Sequence, residues 1–265
     1  MSRIGSAIPH LRSLGALRRA DGIVAQAMER LATGKQINRA SDDPAGFAVA
    51  ADLKYQQTTL ERRITAAQRE SYRLGAQEGA LSVVSDLAIE LRGLTVQAAS
   101  TGGLSEAERD AILERAGSIV ESVDFIANTS TFGGEQILRG TSSASLGLAE
   151  ALEALRAGDF EAAGEAAEDA VDGVATQRAG IGARIQQLES MMRVHQAEME
   201  AVAGELSRIE DADFARETAE LVRGQILQQA AIETTRIASE NARSVLTLLE
   251  SVAPAPRTAP AAGLS

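Results

Sequence analysis

The sequence predicts an all-α protein: an elongated helical bundle or coiled coil of long antiparallel helices with one small β-hairpin. Three observations predict it. Apolar residues recur at steps of three and four over stretches much longer than a globular helix. Aromatic residues make up only 3% of the 265 residues, with no Trp, two Tyr and five Phe. So lean a core suits thin, closely spaced helices better than a bulky globular centre. Breaks are few, and the segments between them are long.

The first strip is Ile4, Ile8, Leu11, Leu14, Leu17, Val24, Met28 and Leu31, weakened by Gly5, Pro9, Gly15 and Gly22. Next comes "RASDDPAGFAVAADL", Arg39 to Leu53. Asp43 before Pro44 reads as a helix start, because aspartate accepts from the free first-turn amides and proline has no N–H to lose there. Asp42 adds favourable charge near the same N-terminus. An ion site is the competing reading, but it needs further ligands that the spacing does not supply. From Leu60 a seam runs Leu60, Ile64, Ala67, Ser71, Leu74, then Leu81, Val84, Leu87, Leu91, Leu94, Ala98, with Glu78 as its polar interruption. A helix from Pro44 to Ala99 would be on the order of 80 Å long, which predicts a rod.

A Gly-containing loop follows at Ser100 to Ser105, and Ser105 with Glu108 forms the S-x-x-E capping box of a third helix. That helix carries Ile112, Ala116, Ile119, Val123 and Ile126. Gly133-Gly134 between short β-prone runs reads as a hairpin or tight turn, and "RAGDF" at Arg156 to Phe160 as another turn. The second long seam is Ala167, Val171, Val174, Arg178, Ile181, Ile185, Leu188, Met192, His195, Met199, Val202, Leu206 and Ile209, with Arg178 and His195 as its only polar members. A last strip, Val222, Ile226, Ala230, Ile237, Val245, Leu249 and Val252, precedes a Pro/Ala tail read as a disordered or polyproline-like extension. Each terminal strip lacks a core of its own and is marginal alone in water. The two can pair with each other or with copies on other chains.

Several function classes are disfavoured. A net charge of -11 opposes nucleic acid as a partner. The absence of cysteine excludes disulfides, thiolate metal sites and a cysteine nucleophile. No apolar run approaches the roughly 20 residues of a membrane span. The start, "MSRIGSAIPHLRSLGALRRA", has four arginines and no acid, and an amphipathic, basic start of this kind also fits an organellar transit peptide. His195 reads as a packed or rim histidine on its seam, and His10 lies in a weak segment. Glu168–Asp169 and Glu210–Asp211 read as solvated faces rather than acid/base dyads, and Met191, Met192 and Met199 as core filler. No phosphate loop, G-x-S-x-G or HExxH is present. The residues point to no enzyme, no catalytic or metal-binding residue and no cofactor.

At "RLATGKQINRASDDPAGFAVA" the chain resembles bacterial flagellin, through Arg30, Leu31, Thr33, Gly34, Ile37, Asn38, Ala40, Asp42, Asp43, Ala45 and Gly46. "GALSVVSDLAIELRGLTVQAAS" from Gly79 and "FGGEQIL" from Phe132 resemble further family segments. So do "IEDADFARETAELVRGQILQQA" and "ARSVLTLL" near the C-terminus. The resemblance runs in order along nearly the whole chain.

This resemblance implies an inner coiled-coil domain from residues 1–40 plus 214–252, disordered in the monomer. It also implies a long-helix domain over 41–213 with a hairpin near 131–140, and a short loop at 139–147 where relatives insert outer domains. Residues 253–265 form the flexible tail. It places assembly contacts on Leu31, Gly34, Ile37, Asn38, Asp42 and Asp43, and on Gln225, Ile226, Leu227, Gln228, Gln229, Ala230, Val245, Leu246 and Leu249. The implied partners are copies of the chain in a helical homopolymer, the flagellar export apparatus and its chaperone, and hook-associated junction and cap proteins, with no nucleic acid and no membrane insertion. The implied location is the extracellular filament, reached without a cleaved signal peptide. Ordering about 70 terminal residues costs on the order of 100 kcal/mol of backbone entropy, which couples their folding to burial against neighbouring subunits. Two other readings stay open at this point. "TGKQINRASDDP" also fits a hook–filament junction protein, and the periods alone fit a cytosolic coiled-coil scaffold.

Overall fold

The structure, a computed structural model, describes residues 3–100 and 105–252. The order of elements is α1 (Arg3–Thr33), α2 (Pro44–Ser100), α3 (Glu106–Thr129), β1 (Thr131–Phe132), β2 (Glu135–Gln136), α4 (Leu148–Ala157), α5 (Phe160–Glu210) and α6 (Phe214–Val252). Residues 101–104 of the Gly-containing loop expected at Ser100 to Ser105, and the Pro/Ala tail at 253–265, lie outside the described residues. The chain divides into two compact units: residues up to Tyr55 together with those from Ala203 onward, and Gln56–Val202.

The unit Gln56–Val202 is a bundle of α2, α3, α4 and α5. Its main core joins Val84, Ala88 and Leu91 of α2, Ile119 and Val123 of α3, Leu148 and Leu152 of α4, and Ala163, Ala167 and Val174 of α5. More than half of these residues are alanine or valine, so little bulk is needed to reach interior packing density. Within this unit every residue of the second seam from Ala167 to Val202 is buried or half-buried, while almost all residues between them are exposed. The first seam holds too, but between Val84 and Ala98 it broadens, because Ser85, Ala88 and Thr95 are also buried. There α2 is covered on a wider face by α3 and α5. Thr95 Oγ1 donates to its own helix at Arg92 O (2.8 Å), so its burial leaves no unsatisfied hydroxyl.

The Ser105 capping box forms as the sequence predicts. The Ser105 side chain accepts from Glu108 N, and the Glu108 carboxylate accepts from Ser105 N. The hairpin pairs Thr131 with Gln136 and Phe132 with Glu135. Gly133 and Gly134 both have positive φ, 61° and 86°, as a two-residue primed turn requires. The chain then buries Ile137 and Leu138 in a second cluster with Leu74, Leu81 and Ile181. Residues 139–147 carry neither helix nor strand. Asp124 of α3 fastens this loop, accepting from Ser143 N and from Ser143 Oγ, each at 2.8 Å.

Helix α4 escapes the periodicity. Its Leu148, Ala151, Leu152 and Leu155 are buried, but its N-cap, Gly147, offers no side-chain capping bond and leaves no start signal. His195 lies half-buried on its seam, with Nδ1 3.0 Å from Glu198 Oε2. Among the methionines, Met192 and Met199 are half-buried and Met191 is exposed, which corrects its reading as core filler.

Candidate assembly surface and the elbow behind it

The other unit is built on the antiparallel pair of α1 and α6. The two bring Asp21 to Gln228 (2.8 Å) and Arg30 to Glu217 (2.9 Å). On α6 the face turned towards α1 is Glu217, Leu221, Gly224, Gln228, Ala231, Thr235 and Ala238, an unbroken four-three alternation of buried and half-buried positions. On α1 the most deeply buried positions are Ala20 and Ala27. The contact is therefore deepest at small residues. At Gly224 it is tightest: a Cβ there would lie 2.8 Å from Val24 Cγ2 and 3.1 Å from Ile23 Cγ2.

Of the two pairings left open for the terminal strips, the one within the chain takes up part of the α1 strip, with Leu14, Leu17, Val24 and Leu31 half-buried, but not the α6 strip. Val222, Ile226 and Ile237 of that strip are exposed, Ile226 at 61%. Leu227 and Ile232 join them on the outward side. On α1, Leu11 and Met28 also point outward. Val222, Ile226, Leu227, Ala215, Thr218 and Ala219 line an open, mostly apolar groove along α6. On α6 the pair thus packs mainly small residues and Leu221 inward and leaves Val222, Ile226 and Leu227 on the surface, while Leu14, Leu17, Val24 and Leu31 of α1 are half-buried. The side chains of residues 3–10 and of Val245, Leu246 and Leu249 lie outside the described residues, so Ile4, Ile8 and His10 carry no structural statement.

Behind the helix pair the chain turns twice, after α1 and after α5, and the two turns are joined. Gln36 N donates to Glu210 O (2.6 Å) and Ala212 N to Gly34 O (2.9 Å), a two-bond antiparallel bridge between Lys35 and Asp211. Gly34 adopts φ +70°, the left-handed conformation that ends α1. Ile37 is buried beneath the turn, and Asn38 Nδ2 donates to Lys35 O (3.0 Å). Asp43 caps α2: its Oδ1 accepts from Ala45 N (3.1 Å) and Gly46 N (3.0 Å). Gly46 is required there, since a Cβ would lie 2.4 Å from Asp43 Oδ2 and 2.7 Å from Ile37 Cδ1.

Asp42 acts differently from the expected charge at the helix start. Its Oδ2 accepts from Asn38 N (3.1 Å) and Arg39 N (2.9 Å), closing the turn backwards rather than facing the first turn of α2. These two backbone hydrogen bonds hold its carboxyl below the usual aspartate range. Among the described residues no group of three or more acidic or histidine side chains is placed to hold a metal ion.

Glu210 is the main residue that the sequence reading misplaced. It is not on a solvated face; it is 8% exposed and accepts from Lys35 Nζ (3.0 Å) and Lys54 Nζ (2.6 Å). Glu217 is likewise buried, at 6%, against Arg30. Neither lysine stands in a recognisable apolar period, so the only signal was the acid itself, at the end of a long seam. The structure brings Gly34, Ile37, Asn38, Asp42 and Asp43 together in this elbow, with Leu31 half-buried at the end of α1. Gln225, Ile226, Leu227, Gln229 and Ala230 lie on the outward side of α6, whereas Gln228 turns inward to Asp21.

The helices of both units match known families. Residues 7–143 match the bacterial flagellin N-terminal helical region and residues 165–249 the C-terminal helical region. The chain is 26% identical over 302 residues to a flagellin of Bacillus subtilis, covering 93% of this chain and 99% of the relative. It is 25% identical over 287 residues to a flagellin of Listeria monocytogenes, covering 94% and 100% respectively. It is also 29% identical over 265 residues to the flagellar filament 33 kDa core protein of Treponema phagedenis, covering 85% and 92%. These names favour a filament subunit over a hook–filament junction protein. With matched segments at both ends and in the expected order, this chain belongs to the bacterial flagellin family, a family of structural proteins.

Proposed function

We propose that the chain is the structural subunit of a bacterial flagellar filament, a helical homopolymer outside the cell that serves swimming motility, and that it is not an enzyme. One observation carries this reading. On α6 the contact with α1 uses Gly224, Ala231 and only one large aliphatic residue, Leu221, while Val222, Ile226, Leu227, Ile232 and Ile237 remain on the surface. Val222, Ile226 and Leu227 line one open groove, and exposed apolar surface of this kind marks a protein contact. Copies of the chain, added head to tail, cover it.

In this reading residues 1–40 and 214–252 form the inner core of the filament and become ordered on assembly, residues 41–213 form the surrounding helical shell, and 253–265 extend as a tail. The assembly contacts run along Gln225, Ile226, Leu227, Gln229 and Ala230, continuing through Val245, Leu246 and Leu249. The segment from Leu31 to Asp43 and Gln228 hold the presenting helices in place. The chain leaves the cell through the flagellar export apparatus with a chaperone and without loss of a signal peptide, and it meets junction and cap proteins at the filament ends. Electron microscopy of the purified chain after salt-induced polymerisation tests the reading. Long tubes with a central channel are expected; closed dimers or tetramers under all salt conditions would overturn it.

A further inference from the structure

The chain has 26 lysine and arginine residues, and only two of them, Lys35 and Lys54, are lysines. Both converge on one atom: Lys35 Nζ lies 3.0 Å and Lys54 Nζ 2.6 Å from Glu210 Oε1. An ammonium is a compact point charge on a flexible stem, whereas a guanidinium is a planar fork that needs more room beside its acceptor. Two compact cations thus share one acceptor oxygen, in a chain that otherwise uses arginine throughout.

We propose that Lys35, Glu210 and Lys54 form an acid-opened latch on the elbow, in which protonation of Glu210 releases the bridge between residues 34–36 and 210–212. The side chain of the latch belongs to the residue whose own backbone carbonyl closes the elbow, at 2.6 Å from Gln36 N. While Glu210 is ionised, one negative charge sits between two positive ones. Once it is neutral, the charge that draws both lysines to one atom is gone; the lysine side chains, nearly half exposed at 44% and 47%, turn to water and the clasp across the elbow is lost.

The charged groups around the latch come from each packed element. Lys35 belongs to the turn after α1 and Lys54 to α2. Arg30 of α1 and Glu217 of α6 satisfy each other. Asp42 is held by the amides of Asn38 and Arg39, Asp43 and Asp213 cap their helices, and Asp211 accepts from Ser207. Burial pushes the Glu210 carboxyl up, but the hydrogen bonds from Lys54 and Lys35 outweigh it and leave it below the ordinary glutamate value of 4.5. A carboxyl depressed in the folded state stabilises above its unfolded pKa, and the stabilisation is lost as pH falls through the folded value. The latch is therefore closed at neutral pH and opens below the ordinary glutamate range.

The latch lies within one chain and does not depend on the filament reading. Hydrogen exchange read by mass spectrometry tests it on the full chain, polymerised if it assembles and soluble if it does not. The elbow, residues 34–43 and 208–215, is compared with α3 as internal reference and corrected for intrinsic exchange. Wild-type elbow protection falls by about tenfold or more between roughly pH 7 and pH 3.5, while α3 changes less. Glu210→Gln starts low at neutral pH and adds no further fall. Equal protection of wild type and Glu210→Gln at neutral pH, or an equal acid-induced fall in both, would overturn the latch. Should Glu210→Gln not fold, Lys54→Gln decides: it leaves the acid in place with less compensation, so its opening must shift to higher pH, and an unshifted midpoint would overturn the proposal.

Discussion

Arg178 and Glu78 are charged members of two otherwise largely apolar seams, and they meet. Arg178 Nη2 donates to Glu78 Oε1 at 2.7 Å and Nε to the same oxygen at 3.2 Å. Long seams rich in alanine specify register weakly, because a slip of one heptad buries nearly the same surface. Such a slip would set Glu78 beside Val171 or Ile185. The pair therefore opposes slippage more than it adds stability, as single polar pairs do in coiled coils.

The corresponding prediction separates the two effects. Both side chains are more than a third exposed, so Glu78→Ala costs only about 0–1 kcal/mol in thermal unfolding. The double variant Glu78→Leu with Arg178→Leu is as stable as wild type or more so, but it populates a second register. The chain contains no cysteine, so spin labels can be placed cleanly at the exposed Tyr72 and Met191. Wild type gives one distance between them and the double variant two; a single unchanged distance in the double variant would remove the register role.

Gly224 sets the spacing of α1 and α6. A Cβ would meet Val24 Cγ2 at 2.8 Å and Val24 N at 3.3 Å, and the backbone nitrogen cannot rotate away. Gly224→Ala should cost about 1–3 kcal/mol of this helix pair by overpacking, even though alanine is the better helix former. Polymerisation yield should fall sharply, while the thermal transition of the Gln56–Val202 bundle stays in place. Unimpaired assembly of Gly224→Ala would show that the close approach is dispensable.

What the sequence made legible follows from the kind of burial involved. The seam from Ala167 to Val202 was readable because bulky residues there do the packing. The same rule misled on α6, where bulk marks the surface: Ile226 is exposed, and Gly224 and Ala231 make the contact. In a chain this rich in alanine, a small-residue contact face has no contrast against its background. The capping box at Ser105 was legible because it is local. The Glu210 latch joins residues 156 and 175 positions apart, which no period reports.

Ile226 tests the outward face directly. Its side chain makes no buried contact within the chain, so Ile226→Asp should leave the soluble chain within about 0.5 kcal/mol of wild-type stability. In the polymer the same carboxylate would be taken out of water without a partner. Sedimentation after salt-induced polymerisation should find the variant in the supernatant and wild type in the pellet. Co-pelleting of Ile226→Asp in wild-type amounts would move the contact surface away from this groove.

Ser105 and Glu108 give a local test with its own pH signature. Ser105→Ala removes the acceptor for Glu108 N and should cost about 1 kcal/mol, fraying the start of α3. The hydrogen bonds from Ser105 N and Ser105 Oγ hold the Glu108 carboxyl below its ordinary value. Its contribution is thus present above the ordinary glutamate pKa and fades as pH falls through the depressed folded value. Ser105→Ala removes one of these two donors and keeps the backbone one, so the acid-dependent part of the loss should shrink without vanishing. Stability measured for wild type and variant should therefore differ most at neutral pH, and the gap should narrow in acid to the part owed to the cap on Glu108 N. A gap that stays constant across this range would mean that the hydroxyl only caps the amide and that its own bond to the Glu108 carboxylate contributes nothing.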